Sequence, residues 1–129
     1  MSRRTCRDSL FKLIYQHLFN KELVANEALD SIAENMDIED QKYVLNNYNG
    51  IVENYESLTK TIADATQGYK IDRIYKVDLA ILLEAVYEIE YLKEPAPVVI
   101  NEVVEIAKKY SNEKSPSFIN GVLSKIVNK

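Results

Sequence analysis

The sequence is short of the residues from which disulfides, metal sites and many catalytic centres are built. Its 129 residues include one cysteine, one histidine, three glycines and three prolines. A single cysteine excludes an intramolecular disulfide, and with one histidine it does not complete a four-ligand zinc site. The zinc-protease, nucleophile-elbow, dinucleotide-binding and phosphate-loop motifs are also absent from the sequence. We therefore expect no metal, no cofactor and no enzyme activity.

Two features could still suggest reactive chemistry. Glu84 and Glu88 could in principle act as a general acid and base, but four residues apart on a predicted helix they are more often a solvated edge. Cys6 lies near Arg4 and Arg7, which could lower its thiol pKa, yet it also fits the apolar stripe of the first predicted helix. We therefore expect Glu84 and Glu88 to lie on a solvent-exposed edge of their helix and Cys6 to pack in the core.

Long apolar runs are missing as well. No run approaches the roughly 18 residues that a membrane span requires, and Arg7, Asp8 and Lys12 interrupt what would be the apolar core of a signal peptide. The 28% of charged residues and the few glycines and prolines are not typical of disorder. A chain of this length can bury a core, so we expect one soluble, cytoplasmic domain.

Charge is unevenly distributed along the chain. The total is −4, but residues 1–12 contain four basic residues against one acidic residue, a local charge of +3. Residues 108–129 contain five lysines against one glutamate, a local charge of +4. Exposed charges more than about 8 Å apart are largely screened at physiological salt, so a phosphate responds to the local patch. The acidic total therefore does not exclude RNA binding.

Apolar residues recur every three or four positions almost throughout, which predicts an all-α fold of six or seven helices. A heptad-like seam over residues 44–65 favours packing inside the chain's own bundle over a coiled coil. Asp78 and Ser115 have the chemistry of helix N-caps, and Ser115 is followed by a proline. Residues 93–97, with two prolines, predict a loop. Gly121 interrupts the last apolar pattern, which predicts that something approaches the helix closely there.

Three blocks of the sequence carry a family resemblance through their order and spacing. The first runs from Ser2-Arg3-Arg4 to Tyr15-Gln16. The second contains Tyr69, Asp72-Arg73-Ile74, Val77-Asp78, Ala80-Ile81-Leu82 and Tyr87-Glu88-Ile89. The third contains Ile100-Asn101-Glu102, Glu105-Ile106-Ala107-Lys108 and Phe118-Ile119-Asn120-Gly121-Val122-Leu123. Together they resemble the signature of the NusB family of bacterial antitermination factors.

The resemblance implies a fold of two small helical bundles packed across each other within one domain, residues 1–129. We expect an arginine arm at residues 1–8, an N-terminal bundle at about 4–66 and a C-terminal bundle at about 70–128. It also implies a function. Members of the family bind boxA-type single-stranded RNA together with the ribosomal protein NusE, and so support transcription of ribosomal RNA.

Candidate site residues follow from the resemblance together with their chemistry. RNA contacts are expected at Arg3, Arg4, Arg7, Tyr15, Gln16, Phe118, Asn120 and Lys125. Arginine binds phosphate bidentately and stacks on bases, so the three arginines suit a flexible arm that becomes ordered on RNA. Phe118 is either a base-stacking ring or a core residue. Asp78 is a candidate contact for the ribosomal protein, with N-capping as the alternative.

Two departures from the family pattern fall on the central helix. Leu83 stands where many relatives carry an arginine, and Glu84 stands where an apolar residue is usual. They imply either a partner surface of altered charge or a repacked helix. Two other functions stay open: a helical protein-binding adaptor without RNA affinity, which would use the acidic residues 22–64, and a stand-alone relative of the N-terminal domain of a ribosomal RNA cytosine methyltransferase.

Overall fold

A computed structural model describes residues 3–33, 35–68 and 70–128. These residues form seven α-helices and one short 3-10 helix without any strand, which confirms the all-α class. The helices are α1 (Arg3–Phe19), α2 (Ala25–Ile32), α3 (Ile38–Glu53), α4 (Tyr55–Ala65), the 3-10 helix (Ile71–Arg73), α5 (Lys76–Glu90), α6 (Ala96–Tyr110) and α7 (Ser115–Val127). Ser2 and Tyr69, which belong to the motif blocks, lie outside the described residues.

Within the three described ranges, no helix is both long enough and apolar enough to cross a bilayer.

The chain divides into two compact units at residues 53 and 54. In the first unit, Met1–Glu53, α1 packs against α2 and α3. Its core is formed by aliphatic side chains from all three helices, among them Leu13, Ile14, Leu29, Val44 and Ile51. Because these residues recur at helical spacing, each helix presents one apolar side to the others.

The second unit, Asn54–Lys129, is built around α5, which contacts α4, α6 and α7. Every residue from Val77 to Val86 is buried, so α5 is a central helix that is covered on all sides. Glu84 and Glu88 lie within it at 0% and 1% exposure, and the prediction of a solvated acidic edge is therefore wrong.

The seam over residues 44–65 is not one helix. Asn54 separates α3 from α4, and α4 packs against α5 and α7 in the second unit. The bundle boundary predicted near residues 66–70 therefore differs from the division observed after Glu53. Only one residue interrupts the helical backbone, so the spacing of the apolar residues continues across the break and conceals it.

Several predicted helix starts shift by a few residues. Tyr75 caps α5 and Lys114 caps α7, so Asp78 and Ser115 lie inside their helices rather than at the N-cap. Pro95 caps α6 and Pro97 is in its first turn, because proline needs no amide donor there. The described residues of the chain do not make the close approach predicted at Gly121, since a Cβ added there would meet none of them within 4 Å.

Candidate nucleic-acid interface

The outward side of α1 combines aromatic rings with two basic residues and with one acidic residue, Asp8, which is ion-paired with Lys12. Arg4, Lys12, Tyr15 and Phe19 fall on one side of the helix, because steps of three, four, seven and eight residues return to the same face. Arg4 is exposed, and the ammonium group of Lys12 lies 3.2 Å from the carboxylate of Asp8. We call the four residues Arg4, Lys12, Tyr15 and Phe19 the α1 face.

Three aromatic rings follow one another along this helix. Phe11 is buried, and its ring centroid lies 6.2 Å from that of Tyr15. Phe19 packs edge-on against Tyr15 at 5.1 Å and is 64% exposed. The core therefore holds Tyr15 in place, and Phe19 extends the aromatic surface into solvent. Sequence reasoning missed Phe19, although its spacing of four and eight residues from the other two rings was visible.

The described part of the predicted arginine arm, from Arg3 onward, is helical. Helix α1 begins at Arg3, whose guanidinium carbon lies 4.0 Å from the ring centroid of Tyr43 on α3. This cation–π contact holds the first turn of α1 against α3. Arg7 is only 6% exposed and faces the inside of the unit. Of the three arginines, Arg4 alone belongs to the outward face.

Gln16 is exposed next to Tyr15, and the following residue, His17, is buried beneath it. The Nδ1 atom of His17 lies 3.0 Å from the hydroxyl of Tyr48 on α3, and the two rings meet edge-on. Burial lowers the pKa of His17, and the nearby Lys21 lowers it further. A neutral imidazole thus connects the end of α1 to α3 and fixes the orientation of the α1 face.

Cys6 is a core residue, as predicted. Burial raises the pKa of its thiol, and the charge and hydrogen bond of Asp40 raise it further, so the thiolate is disfavoured. Among the residues that the structure describes, no three histidine, cysteine, aspartate or glutamate side chains gather into a metal-binding group.

The predicted residues of α7 do not form one site. Phe118 and Asn120 are two positions apart, which places them about 200° apart around the helix. Phe118 is half-buried, and Lys125 lies two turns further along the same side. Asn120 instead faces a cavity of about 620 Å³ between α6 and α7, which Asn101 also lines. Any contact made by Phe118 is therefore separate from one made by Asn120.

Asp78 is neither an N-cap nor an exposed contact residue. It is 5% exposed, and its Oδ1 accepts a hydrogen bond of 2.7 Å from Ser111 while its Oδ2 accepts one of 3.0 Å from Ser115. The two serine hydroxyls are themselves 2.7 Å apart. These bonds connect the first turn of α5 to the end of α6 and the start of α7. Local sequence could not reveal them, because the partners are 33 and 37 residues away.

Comparison with known proteins identifies the family. The family model described as "NusB family" matches residues 4–128. The chain belongs to the NusB family. The transcription antitermination protein NusB of Acetivibrio thermocellus is 43% identical over 130 residues, covering 98% of this chain and 89% of that protein.

Solved NusB structures share the fold. The structure of T. maritima NusB has a TM-score of 0.91 at 31% identity and covers 100% of this chain and 92% of that one. A crystal structure of antitermination factors NusB and NusE in complex with dsRNA has a TM-score of 0.86 at 27% identity, covering 98% of this chain and 96% of that one.

The two departures from the NusB pattern can now be placed. Leu83 and Glu84 are both 0% exposed within α5. Neither residue is on a surface where it would change the charge that a partner meets. Of the two explanations considered for these departures, the structure favours a repacked central helix.

Proposed function

We propose that this chain is a transcription antitermination factor that binds boxA-type single-stranded RNA together with the ribosomal protein NusE, and so supports transcription of ribosomal RNA. The proposal rests on membership of the NusB family, whose relatives are named as transcription antitermination proteins. It is supported by the fold shared with a structure of NusB, NusE and RNA. In this proposal the chain acts by binding alone and catalyses no reaction.

The observation that carries the RNA part of the proposal is the α1 face. Arg4 and Lys12 supply positive charge for phosphates, and Tyr15 and Phe19 supply rings on which unpaired bases stack. Single-stranded RNA is recognised by this combination, because its bases are free to leave the strand and stack. Gln16 adds an exposed amide that can hydrogen-bond a base edge.

The remaining predicted residues take different parts in the proposal. Phe118 and Lys125 share one side of α7 and form a second contact, with a ring for a base and an ammonium group for a phosphate. Asn120 offers an amide on the other side of the same helix. Arg3 acts by holding α1 against α3, Arg7 acts from its buried position inside the first unit, and Asp78 supports the partner surface by positioning the turn between α6 and α7.

The test is a fluorescence-anisotropy titration with three labelled RNAs: a boxA-like single strand, a scrambled strand of equal length and a duplex. Each is titrated with the chain alone and with the chain bound to NusE. We expect the boxA-like strand to bind most tightly and NusE to tighten it further. Tyr15→Ala should weaken RNA binding, whereas Tyr91→Ala, which changes the exposed tyrosine that follows α5, serves as the matched control.

The outcomes separate the alternatives. Absence of RNA binding, with and without NusE, would contradict the proposal and favour a helical adaptor. If the chain binds the duplex more tightly than the single strands, it is an RNA-binding protein but not one that prefers single-stranded RNA. Equal loss of affinity in Tyr15→Ala and Tyr91→Ala would remove the α1 face from the RNA site.

A further inference from the structure

The Met1–Glu53 unit has a concave surface between α2 and α3. It is a hollow of about 280 Å³ lined from both helices, and five of its lining residues are Leu29, Asp30, Ile38, Lys42 and Leu45. We call these five residues the α2–α3 hollow. None of them is among the candidate contacts for RNA or for the ribosomal protein.

The lining of the hollow includes aliphatic side chains, one of which remains largely in solvent. Leu29 is buried and Leu45 is half-buried. Ile38, the first residue of α3, is 62% exposed. Val24, two residues before the lining residue Asn26, caps α2 without a side-chain hydrogen bond and is 56% exposed. Exposed aliphatic side chains that are grouped beside a concave surface indicate a contact site, whereas single exposed ones are ordinary.

The size of the hollow suits one side chain of a protein better than a free small molecule. Small-molecule pockets usually measure about 300–1,000 Å³, and the hollow lies below that range. An aliphatic side chain placed against Ile38 and Leu45 would remove apolar surface of both partners from water, which is favourable in proportion to the area buried. The hollow therefore fits a single anchor residue of a larger partner.

Negative charge surrounds the hollow. Residues 21–42 contain seven acidic and two basic residues, a local charge of −5 in a chain whose total is −4. Glu27 and Glu39 lie in the first turns of α2 and α3, where the helix dipole favours an acid. Asp30 is exposed in the last turn of α2, where the dipole disfavours an acid. Helix stability does not explain Asp30, whereas pairing with a cation of a partner would.

This charge determines the class of partner. A surface with excess negative charge repels the phosphates of RNA and of anionic lipids, and it attracts basic protein segments. Lys42 is the exposed basic side chain of the lining. Its charge opposes that of the surrounding acids, so a basic partner should bind more tightly when Lys42 is replaced by an acid.

We propose that the α2–α3 hollow docks a basic protein segment, with one aliphatic side chain of that segment against Ile38 and a lysine or arginine at Asp30. The surface consists of other residues than the RNA contacts proposed on α1 and α7. The inference goes beyond the proposed function, because it gives the chain a further protein partner that can bind while RNA and NusE are bound.

The apolar anchor is tested by calorimetric titration of the full chain with three short synthetic peptides. The first has one leucine flanked by lysines and arginines, the second has serine in place of the leucine, and the third has glutamates in place of the basic residues. We expect the leucine peptide to bind about tenfold more tightly than the serine peptide, and the glutamate peptide not to bind. Ile38→Ser should remove the preference for leucine. Val98→Ser, which changes an exposed valine on α6, is the matched control and should keep it.

The charges are tested with the leucine peptide and two substitutions of opposite sign. Asp30→Lys should weaken binding about two- to fivefold, and Lys42→Glu should tighten it by a similar factor. Added salt should reduce both effects, because both side chains are exposed. Thermal unfolding supplies the folding control, and we expect unchanged midpoints for substitutions at these exposed positions.

Several results would overturn the inference. Equal affinity of the wild type for the leucine and serine peptides would show that binding rests on charge alone. Equal losses in Ile38→Ser and Val98→Ser would place the peptide elsewhere. If NusE displaces the leucine peptide, the hollow belongs to the NusE contact, and if Ile38→Ser abolishes a dimer of the wild type seen in sedimentation, the occupant is a second copy.

Failure of this inference is distinguishable from failure of the proposed function. The peptide titration needs no RNA, and the RNA titration with Ile38→Ser should give the wild-type affinity. Loss of RNA affinity in Ile38→Ser at an unchanged unfolding midpoint would assign the hollow to the RNA site and would also overturn the inference.

Discussion

The hydroxyl of Tyr48 on α3 lies 3.0 Å from Nδ1 of His17 on α1, and both side chains are buried. Burial lowers the pKa of His17 from its ordinary value of 6.5, with a smaller contribution from Lys21. The folded chain therefore binds fewer protons at this site than the unfolded chain near and below pH 6.5. The resulting stabilisation is present above pH 6.5 and is lost as the pH falls through the lowered pKa.

The first prediction concerns this pH dependence. Replacing the imidazole by His17→Phe should flatten the decline of the unfolding free energy between about pH 7 and pH 5, because the group that takes up a proton on unfolding is gone. Urea unfolding at several pH values measures it. Tyr48→Phe is the control, since it removes the hydrogen bond but leaves the buried imidazole. Parallel curves for His17→Phe and the wild type would contradict the assignment.

The second prediction concerns the serine–aspartate network. Asp78→Ala leaves the half-buried hydroxyl of Ser111 and the buried hydroxyl of Ser115 without their carboxylate acceptor. We expect the unfolding free energy to fall by about 1–3 kcal/mol. Asp72→Ala, an exposed acidic residue in the neighbouring 3-10 helix, should change stability by less than about 0.5 kcal/mol. Equal stability of the two variants would show that the network contributes nothing.

The third prediction separates the arginines of α1. Arg4→Ala should leave the unfolding midpoint unchanged and reduce the salt slope of RNA binding by about 0.7, because it removes one exposed phosphate contact. Arg7→Ala should lower stability by about 1–3 kcal/mol, because its side chain is buried and its removal leaves a cavity. If Arg7→Ala instead reduced the salt slope and Arg4→Ala instead lowered stability, Arg7 would be the RNA contact.

The fourth prediction uses two glycines with different backbones. Gly121 lies in α7 with open space around it, so Gly121→Ala should raise the unfolding free energy by about 0.5–1 kcal/mol. Gly68 has φ +108°, a conformation that alanine adopts only with strain, so Gly68→Ala should lower the unfolding free energy. Circular dichroism during thermal unfolding compares the pair. A destabilising Gly121→Ala would indicate that something does approach α7 there.

Much of the fold could be predicted from the sequence, because amphipathic helices repeat their apolar residues with a period that local inspection detects. The break between α3 and α4 at Asn54 could not be predicted, because one non-helical residue does not change the period of the apolar residues. The spacing of Glu84 and Glu88 predicts a solvated edge, but this inference holds only for a helix that has a polar side. Helix α5 has none, so any residue of its central turns is buried whatever its charge.

The candidate site was harder to predict than the fold. Arg7 follows the same stripe as Leu10 and Ile14, and this spacing could have indicated its burial. The hydrogen bonds of Asp78 could not be recognised, because they form only when the start of α5, the end of α6 and the start of α7 come together. A surface built from segments about 40 residues apart along the chain leaves no local pattern.

The hydrogen bonds around Asp78 also bear on how a ligand would associate. Ser111, Asn112 and Ser115 hold the backbone between α6 and α7 before any partner arrives. A surface whose loop is already ordered pays little conformational entropy on association, so more of the contact energy remains as affinity. We therefore expect this part of the chain to associate in one kinetic step, without a slower ordering phase.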